Sequence, residues 1–224
     1  MKKHDSDDAL TGAGLSRRGL ISGAATLALG LVAGAAANKY QFDGGLAPLE
    51  EKKAPARAKP IIPPGADNVR SFRAHCTGCQ LCVSVCPNNV LRPSNRLSGF
   101  TQPNLSYERG YCRPECVKCS EACPTGALRP ITTAEKSATQ IGIAAWDGDS
   151  CVVNTDKAAC DLCARKCPTA AITMIPQSEK DPASLKIPMI DANRCIGCGA
   201  CEQLCPVRPY SAIHVNGVET HRTV

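Results

Sequence analysis

Large aromatic side chains are scarce in this sequence of 224 residues. Phe, Trp and Tyr together make up 4% of the chain, and Trp146 is its one tryptophan. A chain this poor in large apolar side chains builds a weak hydrophobic core, so other bonds must supply part of the folding free energy. No set of nucleophile, base and oxyanion donors is visible, and Gly12-Ala13-Gly14 follows no strand, which excludes a dinucleotide loop there. The sequence therefore predicts no substrate-transforming site.

Cysteine, in contrast, is abundant, with 16 residues in the chain. All of them fall into four runs that end in Cys-Pro, and the first and fourth runs follow C-x2-C-x2-C-x3-C-P. The first gap is widened to three residues in the second run and to eight in the third. The runs are Cys76, Cys79, Cys82, Cys86; Cys112, Cys116, Cys119, Cys123; Cys151, Cys160, Cys163, Cys167; and Cys195, Cys198, Cys201, Cys205.

This spacing is the signature of bacterial ferredoxins, which hold [4Fe-4S] clusters through cysteine thiolates. Three closely spaced thiolates bind one cubane, and the fourth, redirected by the following proline, points to a second cluster. Small residues such as Gly197 and Gly199 let backbone amides approach the inorganic sulfur. Four runs predict four [4Fe-4S] clusters, with all sixteen cysteines as iron ligands. The eight-residue gap departs from the plain pattern, so the spacing supports Cys151 least.

Two other uses of cysteine must be weighed against clusters. Eight disulfides would also use sixteen cysteines, and zinc binds Cys-x2-Cys pairs. Disulfide frameworks do not repeat one spacing with a following proline, and a zinc site leaves the third cysteine of each triplet unexplained. Clusters are therefore favoured. Because metal–ligand bonds then carry much of the folding free energy, we expect the protein without clusters to be largely unfolded.

Residues 1–37 have the features of an export signal. Ser16-Arg17-Arg18 precedes a stretch without charge that lasts until Lys39, and Ala35-Ala36-Ala37 is an A-x-A cleavage pattern. The paired arginines resemble a twin-arginine signal, which suits a protein that crosses the membrane after its clusters are inserted. An ordinary secretory signal or an uncleaved membrane anchor is the alternative.

A linker and a repeat array follow the signal. Residues 38–70 hold five prolines between Ala47 and Gly65 and predict an extended, poorly packed tether, with a strand against the domain as the alternative for Ile61-Ile62. In residues 71–224 the last cysteines of successive runs lie 37, 44 and 38 residues apart. We expect an α+β fold of tandem two-cluster ferredoxin-like modules with short helices and strands. Candidate strands are 128–132, 141–146, 187–190 and 213–215.

The spacing does not decide which runs exchange their fourth cysteines. The intervals between runs are 25, 27 and 27 residues, so neighbouring runs could pair throughout. Alternatively the runs could be nested, the first with the fourth and the second with the third. Both arrangements give two modules of two clusters.

The net charge does not indicate a nucleic-acid partner. The formal charge of +6 counts cysteine as neutral, whereas each oxidised cluster with four thiolates adds about −2. His75 and Trp146 are expected to be ordinary surface or packing residues. Basic residues near the runs are expected to balance the cluster charge or to face partners; they are Arg73, Arg113, Lys118, Arg165, Lys166 and Arg194.

The Ser-Arg-Arg leader, the proline-rich segment and the widened gaps of the middle runs resemble the NapG/MauM family of ferredoxin-type proteins over essentially the whole chain. The resemblance implies a periplasmic electron carrier. Its donor would be a membrane-embedded, quinol-oxidising ferredoxin-type protein, and its acceptor a periplasmic nitrate reductase-type or methylamine-type system. The resemblance also implies nested pairing, as in the related electron-transfer subunits of molybdopterin reductases. A beta-type subunit of such a complex is the alternative function, although those subunits commonly lack their own export signal.

Overall fold

Seven short helices and six strands make up residues 50–224, the part of the chain that the computed structural model describes. The export signal predicted for residues 1–37 lies outside the described residues. The helices are α1 (Val69–His75), α2 (Leu81–Ser84), α3 (Lys118–Glu121), α4 (Thr133–Ala138), α5 (Val152–Thr155), α6 (Leu162–Arg165) and α7 (Ala200–Leu204). The strands are β1 (Leu91–Pro93), β2 (Pro103–Leu105), β3 (Thr139–Trp146), β4 (Ile172–Ser178), β5 (Asp181–Ile190) and β6 (Ile213–Thr223).

The strands pair into three two-stranded antiparallel sheets. β1 and β2 form a small hairpin between the first and second cysteine runs, with Leu91 opposite Leu105. β4 and β5 form a longer hairpin between the third and fourth runs. β3, which follows the second run, pairs instead with β6 at the end of the chain, with Trp146 opposite Ile213. Each half of the domain thus contains one hairpin between its two runs.

Three of the four predicted strands are present, and the mixture of short helices and strands fits the expected α+β class. Residues 141–146 lie in β3, 187–190 in β5 and 213–215 in β6. The strand predicted at 128–132 is wrong, because Thr132 caps α4: its side chain accepts from the Glu135 N–H while the Glu135 carboxylate accepts from the Thr132 N–H. β4 was not predicted, since its proline obscures the strand pattern.

The core consists of small aliphatic side chains and cysteines, as the scarcity of aromatics requires. Tyr107 is its one fully buried large aromatic residue within the described part, and Leu128, Ile141 and Val215 pack in the same cluster of buried side chains. Seven buried cysteines belong to the described core residues, so the hydrophobic interior and the cysteine sites are the same region of the molecule. No helix between residues 50 and 224 has the length and apolar character to cross a membrane.

The segment before α1 packs against the domain. Ile61 and Ile62 are 1% and 2% exposed, and the Leu105 N–H donates to the Ile61 carbonyl at 2.8 Å. The poorly packed tether expected for residues 38–70 is therefore wrong for the described residues 50–66. Ile61 and Ile62 instead lie against the domain, as the alternative for these two residues expected. The prolines extend the backbone, and the two isoleucines enter the core.

Two basic side chains fix this segment to the last cysteine run. The Lys52 ammonium donates to three backbone carbonyls at the C-terminal end of α7, at 2.7, 2.9 and 2.8 Å. These are carbonyls that a helix end leaves without partners, so Lys52 serves as a cap. Arg57 forms an ion pair with Glu202 of α7, and both side chains are nearly buried. The remaining Glu202 oxygen accepts from the Val215 N–H at 2.7 Å, which ties α7 to β6.

The burial of His221 in β6 predicts an acid-sensitive fold. Burial lowers the pKa of His221 to about 4, with Asp67 opposing and Lys136 adding to the shift. Between the unfolded pKa of about 6.5 and the folded value, the unfolded chain binds more protons, so stability falls as the pH falls through this window. We expect the native protein to lose about 2 kcal/mol between pH 7.5 and 5 relative to His221→Phe, in guanidinium unfolding under anaerobic conditions.

The comparison with His221→Phe controls for the acid sensitivity of bound clusters, which both proteins share. If the two proteins lost stability in parallel from pH 7.5 to 5, the histidine would not be the group responsible.

Candidate iron–sulfur sites

The sixteen thiols gather into four groups of four. In each group the first three cysteines of one run are joined by the fourth cysteine of a neighbouring run. Site I is Cys76, Cys79, Cys82 and Cys123; site II is Cys86, Cys112, Cys116 and Cys119; site III is Cys151, Cys160, Cys163 and Cys205; site IV is Cys167, Cys195, Cys198 and Cys201.

At each of sites I, II and III the four cysteines line one cavity. Among residues 50–224, no three His, Cys, Asp or Glu side chains converge as closely as a single metal ion requires, and none of the sixteen cysteines forms a disulfide. Four thiols around one cavity are the donor set of a [4Fe-4S] cubane, with one thiolate for each iron. The residues present therefore fit this cofactor.

Neighbouring runs exchange their fourth cysteines. Cys123 of the second run completes site I, and Cys86 of the first completes site II. Cys205 and Cys167 do the same for sites III and IV. The nested pairing implied by the resemblance is therefore wrong for this chain. Its physical reason is the hairpin between the runs of each pair, β1–β2 and β4–β5, which returns the chain so that the two runs lie side by side.

The widened gap of the third run still delivers its first cysteine to a site. Cys151 lines the same cavity as Cys160, Cys163 and Cys205, and the one-turn helix α5 occupies the extra residues of the gap. Trp146 lines this cavity too. Cys151, the cysteine that the spacing supports least, therefore lies with the next two cysteines of its own run.

The sites form a row in the order I, II, IV, III. The Cys82 thiol of site I lies near enough to that of Cys119 in site II to raise its pKa. Sites II and IV are joined directly, because the Cys112 N–H donates to the Cys198 carbonyl at 2.8 Å. Sites IV and III are next to each other through the thiols of the fourth and third runs. The spatial order thus differs from the chain order, and contact between the two modules runs through II and IV.

The loops of the first and fourth runs share one backbone conformation. Gly78 and Gln80 have φ of 70° and 65°, and Gly197 and Gly199 have φ of 74° and 80°. Left-handed φ at these two places curls the loop around its site, which glycine allows at little cost. Gln80 adopts it without being glycine, and its side-chain amide donates to the carbonyls of Gly78 and Thr101, which holds the loop in place.

Hydrogen bonds reach the sulfur atoms of two fourth cysteines. The Cys123 sulfur accepts from the Leu128 N–H at 3.4 Å and lies 3.6 Å from the Thr125 hydroxyl. Partial burial acts to raise the pKa of Cys123, but these hydrogen bonds outweigh it and lower the pKa. Cys167 and Thr169 repeat the arrangement at 3.7 Å. At Cys123 the hydrogen bonds therefore stabilise the thiolate form, as a cluster ligand requires.

Other thiols are held in their neutral form by burial. Burial raises the pKa of Cys82 and Cys163 to about 11, and that of Cys119 and Cys198 to about 12. At neutral pH these groups keep their protons in the folded chain. Iron binding must therefore displace protons, and becomes more favourable as the pH rises.

A buried lysine that was not predicted from the sequence lies beside site II. Lys136 of α4 is 1% exposed, and its ammonium faces the thiols of Cys112 and Cys119. A buried ammonium needs a nearby negative charge, and the thiolates of site II provide one. All six basic residues that the sequence singled out are exposed. Nothing in the sequence around Lys136 marks it, because its partners are distant in the chain.

Tyr107 connects the two modules and was also missed. Its hydroxyl donates to the Gly197 carbonyl at 2.6 Å, and the Arg57 guanidinium lies 5.8 Å from its ring centre. The ring packs flat against Gly199, where an added Cβ would lie within 2.4 Å of ring atoms. The packing of Tyr107 at the junction of sites II and IV thus requires glycine at position 199.

Gly199→Ala is therefore expected to destabilise the protein by about 3 kcal/mol or more, through overpacking against Tyr107 in addition to strain at positive φ. We expect iron to be lost from site IV, measured as iron per chain together with the melting temperature. Gly126→Ala is the matched control, because Gly126 has φ of 72° but nothing within 4 Å of the added Cβ. Equal effects of the two substitutions would leave no role for the contact with Tyr107.

Comparison with known proteins agrees with this geometry. The family model of the 4Fe-4S dicluster domain matches residues 75–127 and 158–208. The first match spans the runs of sites I and II. The second spans those of sites III and IV, except Cys151. Fold, sites and comparison together define a ferredoxin-type iron–sulfur protein with two dicluster modules.

Relatives identify the family. The methylamine utilization ferredoxin-type protein MauM of Methylophilus methylotrophus is 35% identical over 160 residues, 67% of this chain and 69% of that protein. The ferredoxin-type protein NapF of Escherichia coli K12 is 29% identical over 70% of this chain and 86% of that protein. NapG of Haemophilus influenzae is 34% identical over 72% of this chain and 61% of that protein. The chain belongs to the NapG/MauM family of ferredoxin-type electron-transfer proteins.

Proposed function

We propose that this protein is a periplasmic electron relay that carries four [4Fe-4S] clusters, one at each of sites I to IV, with all sixteen cysteines as ligands. The observation that carries the proposal is the continuous row of four-thiol sites. Each cluster, when bound, takes up and releases one electron. A row in which each site neighbours the next gives an electron a path from one end of the domain to the other.

The side chains around the row hold and adjust the clusters and transform no substrate. Thr125 and Thr169 face the fourth cysteines of sites I and IV, and backbone N–H groups donate to their sulfur atoms. The Lys136 ammonium adds a positive charge at site II. Hydrogen bonds to sulfur and nearby positive charge both favour the reduced, more negative cluster. The protein thus sets the potentials and the spacing of the row.

The proposed partners follow from the family. Electrons would come from a membrane-embedded, quinol-oxidising ferredoxin-type protein and pass to a periplasmic nitrate reductase-type or methylamine-type system. The relatives named for methylamine utilization, at 33–35% identity, support the second type, while the Nap-type relatives support the first. The inner membrane would then lie close to one end of the row.

The relay is tested by electron paramagnetic resonance of the full chain purified without oxygen. Iron analysis should give about 16 iron atoms per chain. After reduction with dithionite, the resonance signal should be broadened by interaction between neighbouring reduced clusters. Zinc in place of iron, or isolated clusters without mutual interaction, would contradict the proposal.

Export is tested separately at the Arg17-Arg18 pair. With Lys at both positions we expect the protein to remain in the cytoplasm with its clusters assembled, as measured by cell fractionation and iron content. Unchanged delivery to the periplasm would contradict a twin-arginine route. The conservative change keeps the charge, so a general charge effect is controlled.

A further inference from the structure

Site I occupies one end of the row and is open to solvent. Of the sixteen cysteines, Cys79 alone is exposed. At the junction of the modules, by contrast, Cys112 and Cys198 are buried. A cluster at site I would therefore have the most exposed ligand of the four sites, within direct reach of a partner protein.

Exposed apolar side chains lie on the two segments beside this opening. The loop at residues 94–101 lies on the first cysteine run, because Gln80 donates to the Thr101 carbonyl and the Thr101 hydroxyl fills the space beside Gly78. Of the seven exposed large hydrophobic residues of the described chain, two belong to this loop, one to α2 and one is the residue that caps the end of α2. We call these four, with Cys79, the site I face: Leu81 is 46% exposed, Val85 37%, Leu97 97% and Phe100 64%. Exposed apolar side chains grouped in this way mark an interaction surface.

The segment that carries the site I face is basic. Residues 68–107 contain four arginines and no Asp or Glu. At the other end of the row, residues 147–191 contain seven acidic and five basic residues. Arg70 and Arg73 lie on α1, which leads into the first cysteine of site I, and both are exposed. A basic rim around an apolar centre attracts an acidic partner and rejects a basic one.

We propose that the site I face is the docking surface for an acidic redox partner, which exchanges electrons with the row through Cys79. The inference rests on the proposed relay function and adds the place and the chemistry of one contact. The partner would present an apolar patch with a carboxylate rim and its own redox centre close to the surface. The opposite end, at site III, would serve the other partner.

The test uses two small reductants of opposite charge with the full, cluster-loaded chain. The sulfonatopropyl viologen radical is an anion, and the methyl viologen radical is a cation. In each reaction the radical loses one electron and becomes the oxidised viologen, one cluster gains that electron, and no proton is needed. Stopped-flow absorbance at low ionic strength gives both rate constants, and their ratio reports the charge at the point of entry.

We expect the anionic radical to react about tenfold faster relative to the cationic one, with the preference lost above about 0.5 M salt. Arg70→Glu with Arg73→Glu should abolish the preference. Lys157→Glu with Lys186→Glu, near site III, should change the ratio less than about twofold. The two double variants change the net charge equally, so they separate local from overall charge.

Equal effects of the two double variants, or a larger effect at site III, would overturn the docking surface. Iron analysis keeps this result distinct from the relay itself: chains with full iron content and no preference contradict only the docking surface, whereas chains without iron contradict the proposed function. Sedimentation velocity addresses a second copy of the chain as occupant. A dimer that Leu97→Ser with Phe100→Ser dissociates would overturn the acidic partner, and a monomer supports it.

Discussion

Removal of iron from this protein is expected to abolish the fold of residues 50–224. The helices are four to seven residues long, which is too short for stability in isolation, and the three sheets have two strands each. Buried or partly buried cysteines from all four runs take part in the core or pack against it, so the interior depends on what those cysteines bind. Cluster bonds replace the large apolar side chains that the sequence lacks.

The measurement is circular dichroism with limited proteolysis at neutral pH, before and after anaerobic extraction of iron by a chelator at mildly acidic pH, where protons compete with iron for the thiolates. We expect the cooperative thermal transition to vanish and cleavage to spread throughout the domain. A chelator treatment at neutral pH that leaves the visible absorbance unchanged is the control for chelator binding. An iron-free chain that kept its spectrum and a cooperative melt would show that packing alone holds the fold.

Cysteine substitutions are expected to remove one cluster for each site that they affect, whichever run the cysteine belongs to. Cys79→Ser should lower iron from about 16 to about 12 atoms per chain. Adding Cys123→Ser should remove no further cluster, because both residues belong to site I. Adding Cys86→Ser instead should lower iron to about 8, because Cys86 belongs to site II. Cys79 suits the test because it is exposed, so its replacement disturbs little packing.

The two double variants are each other's control, since each adds one serine at the fourth position of a run. Nested pairing would give about 8 iron atoms for the variant with Cys123→Ser, since Cys123 would then serve a different site from Cys79. Runs that kept their own fourth cysteine would give the reverse of the expected order. Non-additivity of this kind identifies residues that act on one site.

The cysteine runs could be interpreted from the sequence because metal ligation fixes residue type and spacing together. They predicted [4Fe-4S] clusters and a ferredoxin-like class of fold, and the match to the dicluster domain supports both. Pairing could not be predicted, since the intervals between runs are nearly equal and the deciding hairpins are weak in sequence. β1 and β2 have three residues each, and Pro176 interrupts β4. The family resemblance implied nested pairing, whereas the hairpins between neighbouring runs bring those runs together.

The packing of the proline-rich segment and the partners of the buried polar side chains could not be predicted from the sequence either. Prolines extend a backbone whether it is solvated or packed, so composition alone did not reveal that Ile61 and Ile62 enter the core. Lys136, Tyr107 and Glu202 act through partners remote in sequence. Such contacts appear only once the chain is folded, because no periodic pattern encodes them.

The number of clusters bound per chain decides whether all four sites hold a [4Fe-4S] cluster. Native mass spectrometry of the full chain, purified without oxygen, reports this number from the mass above that of the polypeptide. We predict one dominant species with four [4Fe-4S] clusters and all sixteen cysteines deprotonated. A dominant species with fewer than four clusters, with bound zinc, or with the mass lost on forming disulfides would contradict the account.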